Sequence, residues 1–133
     1  MANRSSYLAT ACASLFALLV MIPAFAFASD RAADNYRTYC VQCHGIDGNG
    51  QGINKRDMSV QPRDHTDAKA MSGRSDETIF KVIKEGGPSI DKSVLMPPWG
   101  ETFSDEEIHE LVVHLRHLCN CSFGAGPGAP ASQ

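Results

Sequence analysis

The chain has 133 residues and a formal net charge of −3, from 12 Lys and Arg against 15 Asp and Glu. That length holds one small domain. The acidic balance argues against a nucleic-acid partner.

The start reads as an export signal. Arg4 supplies a positive charge, Tyr7 to Ile22 is almost wholly apolar or small, and Pro23 breaks the run. Ala26-Phe27-Ala28 is a small-x-small cleavage site. Residues 1–28 are expected to be removed before Ser29, with a cut after Ala26 as the alternative. A retained membrane anchor is the competing reading, but the run is short and no basic stop-transfer cluster follows. Cys12 is expected to leave with the signal. Losing Arg4 leaves 11 Lys and Arg against 15 Asp and Glu. The mature chain is expected in the periplasm or an equivalent exported space, where cysteines meet oxidising conditions.

Residues 30–44 predict a first helix, capped by Ser29 or Asp30. Ala32, Ala33, Tyr36, Tyr39, Cys40 and Cys43 recur at helical spacing, and Tyr36 and Tyr39 read as packing residues. The helix ends in Cys40-Val41-Gln42-Cys43-His44. Cys-x-x-Cys-His is the attachment pattern for c-type haem. Two thiols reach the two vinyl groups of one porphyrin, and the adjacent imidazole reaches the iron. A redox dithiol or half of a zinc site is the alternative for a bare Cys-x-x-Cys.

Gly45-Ile46-Asp47-Gly48-Asn49-Gly50-Gln51-Gly52 carries four glycines in eight residues and cannot be a stable helix. It lacks the Gly-Lys-Ser/Thr end of a phosphate loop and reads as a tight loop against the haem edge. Residues 53–65 look irregular, and Arg63 and His65 are candidates to meet haem propionates. Thr66 to Met71 predicts a helical turn. Ser75 caps a helix over 76–85, with Asp76 and Glu77 in its first turn. Ile79, Phe80, Val82 and Ile83 are expected to line the haem pocket. Gly86-Gly87-Pro88 ends that helix.

Leu95-Met96-Pro97-Pro98-Trp99-Gly100 follows. His/Met is an axial pair used by cytochromes c, and the thioether raises the potential. Two prolines stiffen the backbone after Met96, a setting that the rival candidates Met58 and Met71 lack. Trp99 is expected at the pocket, its indole N–H toward a propionate. Ser104-Asp105-Glu106-Glu107 is a capping box that opens the last helix. Ile108, Leu111, Val112, Leu115 and Leu118 share one face of it. His109, His114 and His117 fall off that stripe and read as solvated. Cys119-Asn120-Cys121 admits three readings: a local disulfide, a metal site with His114 or His117, or a bridge to a partner or second copy. Residues 122–133, rich in Gly, Ala and Pro, are expected to be a disordered tail.

From about Ala32 to Leu118 the sequence resembles the class I, monohaem cytochromes c. The motif at Cys40 to His44, the glycine-rich stretch, the Met-Pro loop and the last helix carry the resemblance. It implies an all-α fold over residues 29–121, with three main helices and long loops around one covalent haem c. It implies Cys40 and Cys43 as thioether residues and His44 and Met96 as axial ligands. It also implies that the first helix packs across the last. In the family a proline carbonyl accepts a hydrogen bond from the haem histidine, which makes Pro62 the candidate here. The implied function is single-electron transfer between redox proteins, with a membrane reached only through partners. A haem subunit of a larger oxidoreductase is the alternative, and an enzyme or gas binder with open iron a more distant one. The cysteine pair at 119 and 121 departs from the simplest pattern of the family.

Overall fold

The computed structural model describes residues 25–124. The export-signal reading of residues 1–24 and the tail reading of residues 125–133 lie outside them. The elements are α1 (Phe25–Tyr39), α2 (Val41–His44), α3 (Ala68–Ser72), α4 (Asp76–Glu85) and α5 (Asp105–Cys119). Two 3₁₀ turns, Ile53–Asp57 and Gly87–Ile90, lie between them. The described residues contain no strand, and no helix among them is long and apolar enough to cross a membrane.

The first helix differs from its expected course at both ends. It is already helical at Phe25 and carries on through Ser29 and Asp30, the expected cap. It then turns at Cys40 before the short α2. The turn is closed by Cys40 N–H to the Tyr36 carbonyl at 2.9 Å and His44 N–H to the Cys40 carbonyl at 2.9 Å.

α1 packs against α5. Ala32 and Tyr36 are buried from the α1 side, and Arg31 Nε donates to Glu110 Oε2 at 2.8 Å on the rim. On α5 the expected stripe is the core: Ile108, Leu111, Val112 and Leu115 are all buried. Each such side chain contributes about 1.5–3 kcal/mol relative to exposure. Ile79 and Ile83 of α4 close the same cluster. The two caps form as expected. Ser75 Oγ accepts from Thr78 N–H at 3.2 Å. Ser104 N–H donates to Glu107 Oε2 at 2.9 Å while Ser104 Oγ accepts from Glu107 N–H.

α5 ends at Asn120, which takes the left-handed conformation (φ 45°) and lets Cys119 and Cys121 form a disulfide with each other. Both are buried. The local-disulfide reading therefore holds, and neither sulfur remains for a metal or for a bridge to a partner. Beside it lies Arg116, a buried cation. Its guanidinium donates to Met71 O at 2.8 Å, to Arg74 O at 2.5 Å and to Asp76 Oδ1 at 2.8 Å. One side chain thus fastens α5 to α3 and to the first turn of α4.

Candidate functional site

Cys40, Cys43, His44, Pro62, Met96 and Trp99 line one cavity, although three separate chain segments contribute them. Its walls are chiefly apolar and include Ile79, Val82, Ile83, Leu111 and Leu115.

The glycine loop fixes the motif. Gly52 lies so close to α2 that a Cβ there would collide with the carbonyls of Gln42 and Cys43. Cys40 and Cys43 are free thiols. Burial, and secondarily Cys43, push the Cys40 thiol up to about 12, so these surroundings suit an uncharged thioether better than a thiolate. His44 Nδ1 lies 3.0 Å from Arg63 O. A carbonyl only accepts, so Nδ1 carries the proton and Nε2 keeps its lone pair for a metal. Burial holds the His44 ring below the ordinary imidazole range, while the bond to Arg63 O acts the other way.

That bond corrects the expectation for Pro62. The acceptor is the carbonyl of the next residue, Arg63. Pro62 lines the cavity, and its own carbonyl sits against Gly50. His65 lines the cavity. It is buried and stacks on His44 with ring centres 4.2 Å apart and planes 18° from parallel.

The Met96 loop is built onto the end of α4. Helix ends leave carbonyls without intrahelical partners. Here Ile83 O and Lys84 O accept from Trp99 N–H and Gly100 N–H, each at 3.0 Å. Gly87 N–H donates to Met96 O at 2.9 Å. The glycine pair does more than stop the helix. Gly86 has φ +84°, and a Cβ there would stand 2.9 Å from Met96 O; one on Gly87 would collide with Ser93 O. Only bare backbone lets the loop approach this closely. Trp99 stacks on Phe103 at 5.8 Å and meets the edge of Tyr39 at 5.5 Å. Those aromatic contacts hold its ring at the cavity.

Met58 and Met71 reach the cavity too, but Met71 is a buried core residue of α3. Phe80 does not line the cavity. It faces His109 of α5 with ring centres 4.5 Å apart and packs, partly buried, against the core. His114 is half-buried against Tyr36 at 5.1 Å rather than solvated, whereas His109 and His117 are exposed.

Two guanidiniums, Arg63 and Arg74, stand in the cavity wall, together with Lys92. Neither guanidinium is in an ion pair among the described residues. The Arg74 guanidinium donates from Nη1 to Ala70 O at 2.8 Å. Burial and the nearby Arg63 lower its pKa, so a carboxylate between the two would be stabilised. The sequence singled out Arg63 alone. Arg74 gave no signal, because a basic residue between two helices usually faces solvent. Two thiols, an imidazole, a thioether and two guanidiniums around an apolar cavity fit the vinyl groups, iron and propionates of a haem.

A family model for cytochrome c oxidase, cbb3-type, subunit III matches residues 28–115. The solved structure of the KustC0563 c-type cytochrome is 31% identical. Its match covers 65% of this chain and 95% of that one, with a TM-score of 0.53. A chain of the Kuenenia stuttgartiensis reducing HAO-like protein complex Kustc0457/Kustc0458 is 27% identical, with a TM-score of 0.53. There the match covers 66% of this chain and 41% of that one. No curated protein matches the sequence. The chain belongs to the class I, monohaem cytochrome c family. A domain of that family carries covalently bound haem c.

Proposed function

We propose that the chain is an exported electron carrier holding one haem c. It would receive and pass single electrons between redox proteins in the periplasm. The observation that carries this reading is the convergence of His44 and Met96 on a cavity whose wall also holds both thiols of the motif. Cys40 and Cys43 would hold the haem covalently, His44 and Met96 would take the two axial positions, and Arg63 and Arg74 would meet the propionates. A haem bound in this way supplies a ferric/ferrous couple. The chain's own residues set its conditions. Arg63 O keeps the His44 proton on Nδ1 and raises the ligand's basicity. The Pro97-Pro98 stretch, tied to α4, holds a weakly binding thioether in place. With both axial positions filled, no site is left for a substrate. The apolar walls exclude water from the group.

Val60 and Leu95 line the cavity and are exposed, and Val94 beside them is exposed as well. They would give a redox partner an apolar rim close to the haem edge. The reading involves no nucleic acid, and no membrane except through partners. Potentiometric titration of the exported holoprotein tests it. One reversible one-electron wave is expected; two waves, or turnover of peroxide by the native protein, would contradict it.

A second reading is a haem subunit of a larger oxidoreductase. Its support is the similarity to a chain of a named complex. The native mass of the purified protein separates the two: a lone chain with haem fits the carrier, and a co-purifying assembly fits the subunit.

A further inference from the structure

We propose that His65 is a positioning residue for His44, a planar stop that fixes the rotation of the axial imidazole about its iron-facing axis. The inference rests on the haem-binding reading above and goes beyond it in assigning a role to a residue outside the proposed thioether and iron ligands.

The hydrogen bond from His44 Nδ1 to Arg63 O anchors one edge of the ring. A single hydrogen bond leaves the ring free to swing about the line joining Nδ1 to its acceptor. A flat partner against the ring face removes that freedom. His65 supplies the face, 4.2 Å away and 18° from parallel. Its own plane is held in turn. The Tyr36 hydroxyl and His65 Nδ1 share a hydrogen bond of 3.0 Å, and His65 N–H donates to Gly48 O at 2.7 Å. Tyr36 is buried on α1 and packs against His114 of α5. The orientation of the axial imidazole is thereby keyed to the crossing of the first and last helices.

A branched aliphatic residue would fill the same space without fixing a plane. It would also strand the buried Tyr36 hydroxyl, which a buried polar group resists. The pairing of a planar ring with a hydroxyl aimed at its nitrogen is what distinguishes positioning from filling.

The ferric holoprotein reads this out directly. The plane of an axial imidazole governs how unpaired spin spreads over the porphyrin, so the hyperfine-shifted haem methyl resonances in proton NMR report its angle. Wild type, His65→Leu, His65→Phe and Tyr36→Phe are compared, each first checked for covalent haem on a denaturing gel. His65→Leu is expected to change the order and spread of the four methyl signals, and His65→Phe, which restores a flat ring, to bring them back toward wild type. Tyr36→Phe frees the His65 ring and should shift them in the same sense as His65→Leu, by less. A wild-type pattern in His65→Leu with haem attached overturns the proposal. If His65→Leu does not accumulate, an unchanged pattern in Tyr36→Phe overturns it. A wild type with no covalent haem would fail the haem reading instead, before any variant is compared.

Discussion

Replacing Arg116 should cost more stability than any other single change of a charged residue on α5. In Arg116→Met the stem's apolar volume is kept and the guanidinium is lost. Arg74 O then loses its donor, while Met71 O loses the guanidinium but keeps the Arg74 backbone N–H at 3.1 Å, and the ion pair to Asp76 goes with it. An unsatisfied buried carbonyl costs about 1–3 kcal/mol. The Asp76 side chain is 59% exposed, so its share is small, roughly 0.5–1 kcal/mol. The sum is about 3 kcal/mol, which for a domain of this size lowers Tm by roughly 10–20 °C. Asp76→Asn is the matched control. It breaks the ion pair and leaves both carbonyls satisfied, so it should cost only about 1 kcal/mol or less. Thermal unfolding of the two holoproteins by circular dichroism, with the haem spectrum as a second probe, measures the difference. Equal small losses in both variants would refute the reasoning, since water would then replace the guanidinium at no cost.

Alanine at both Cys40 and Cys43 should abolish haem staining on denaturing gels, and full staining would sink covalent attachment. Serine at both Cys119 and Cys121 should leave the haem spectrum and the native mass unchanged. It should lower stability by roughly 1–2 kcal/mol, as expected for so short a closed loop, measured by denaturant titration; a changed haem spectrum would contradict the placement of that disulfide. His114 is held below the ordinary imidazole range by burial, with His117 and Arg37 adding to the effect. Below about pH 6.5 the unfolded chain binds a proton there that the folded chain resists, so stability falls as pH drops through that range. His114→Gln should flatten that slope in unfolding measured from pH 7 to pH 5, and an unchanged slope would contradict the assignment.

What the sequence disclosed was local. Ser75 and Ser104 announce their helices because a cap and the first turn lie within four residues of each other. The motif at Cys40 to His44 and the Met-Pro-Pro setting of Met96 announce their chemistry for the same reason. What stayed hidden was set by tertiary contact. The acceptor for His44 moved from Pro62 to Arg63 because a backbone carbonyl has no side-chain signature, and one residue of register decides it. Arg116 lies off the apolar stripe of α5 and reads as a surface cation, yet carbonyls from two other segments bury it. The stacking of His65 on His44 depends on the Gly48 to Arg63 path folding back on α2, which no periodicity encodes. Gly86 and Gly87 were legible as a helix stop but not as the place where the Met96 loop touches down.

The pairing of His44 with Met96 is the centre of the account, and the absorption of the ferric protein in the far red tests it most directly. A thioether on ferric haem gives a weak charge-transfer band there. The account predicts that band in the wild type, in Met58→Ala and in Met71→Leu. It predicts the loss of the band in Met96→Ala, together with new binding of carbon monoxide by the ferrous form and a lower potential. A wild type that lacks the band and binds carbon monoxide readily at neutral pH would contradict it: the iron would be open, and Met96 a packing residue.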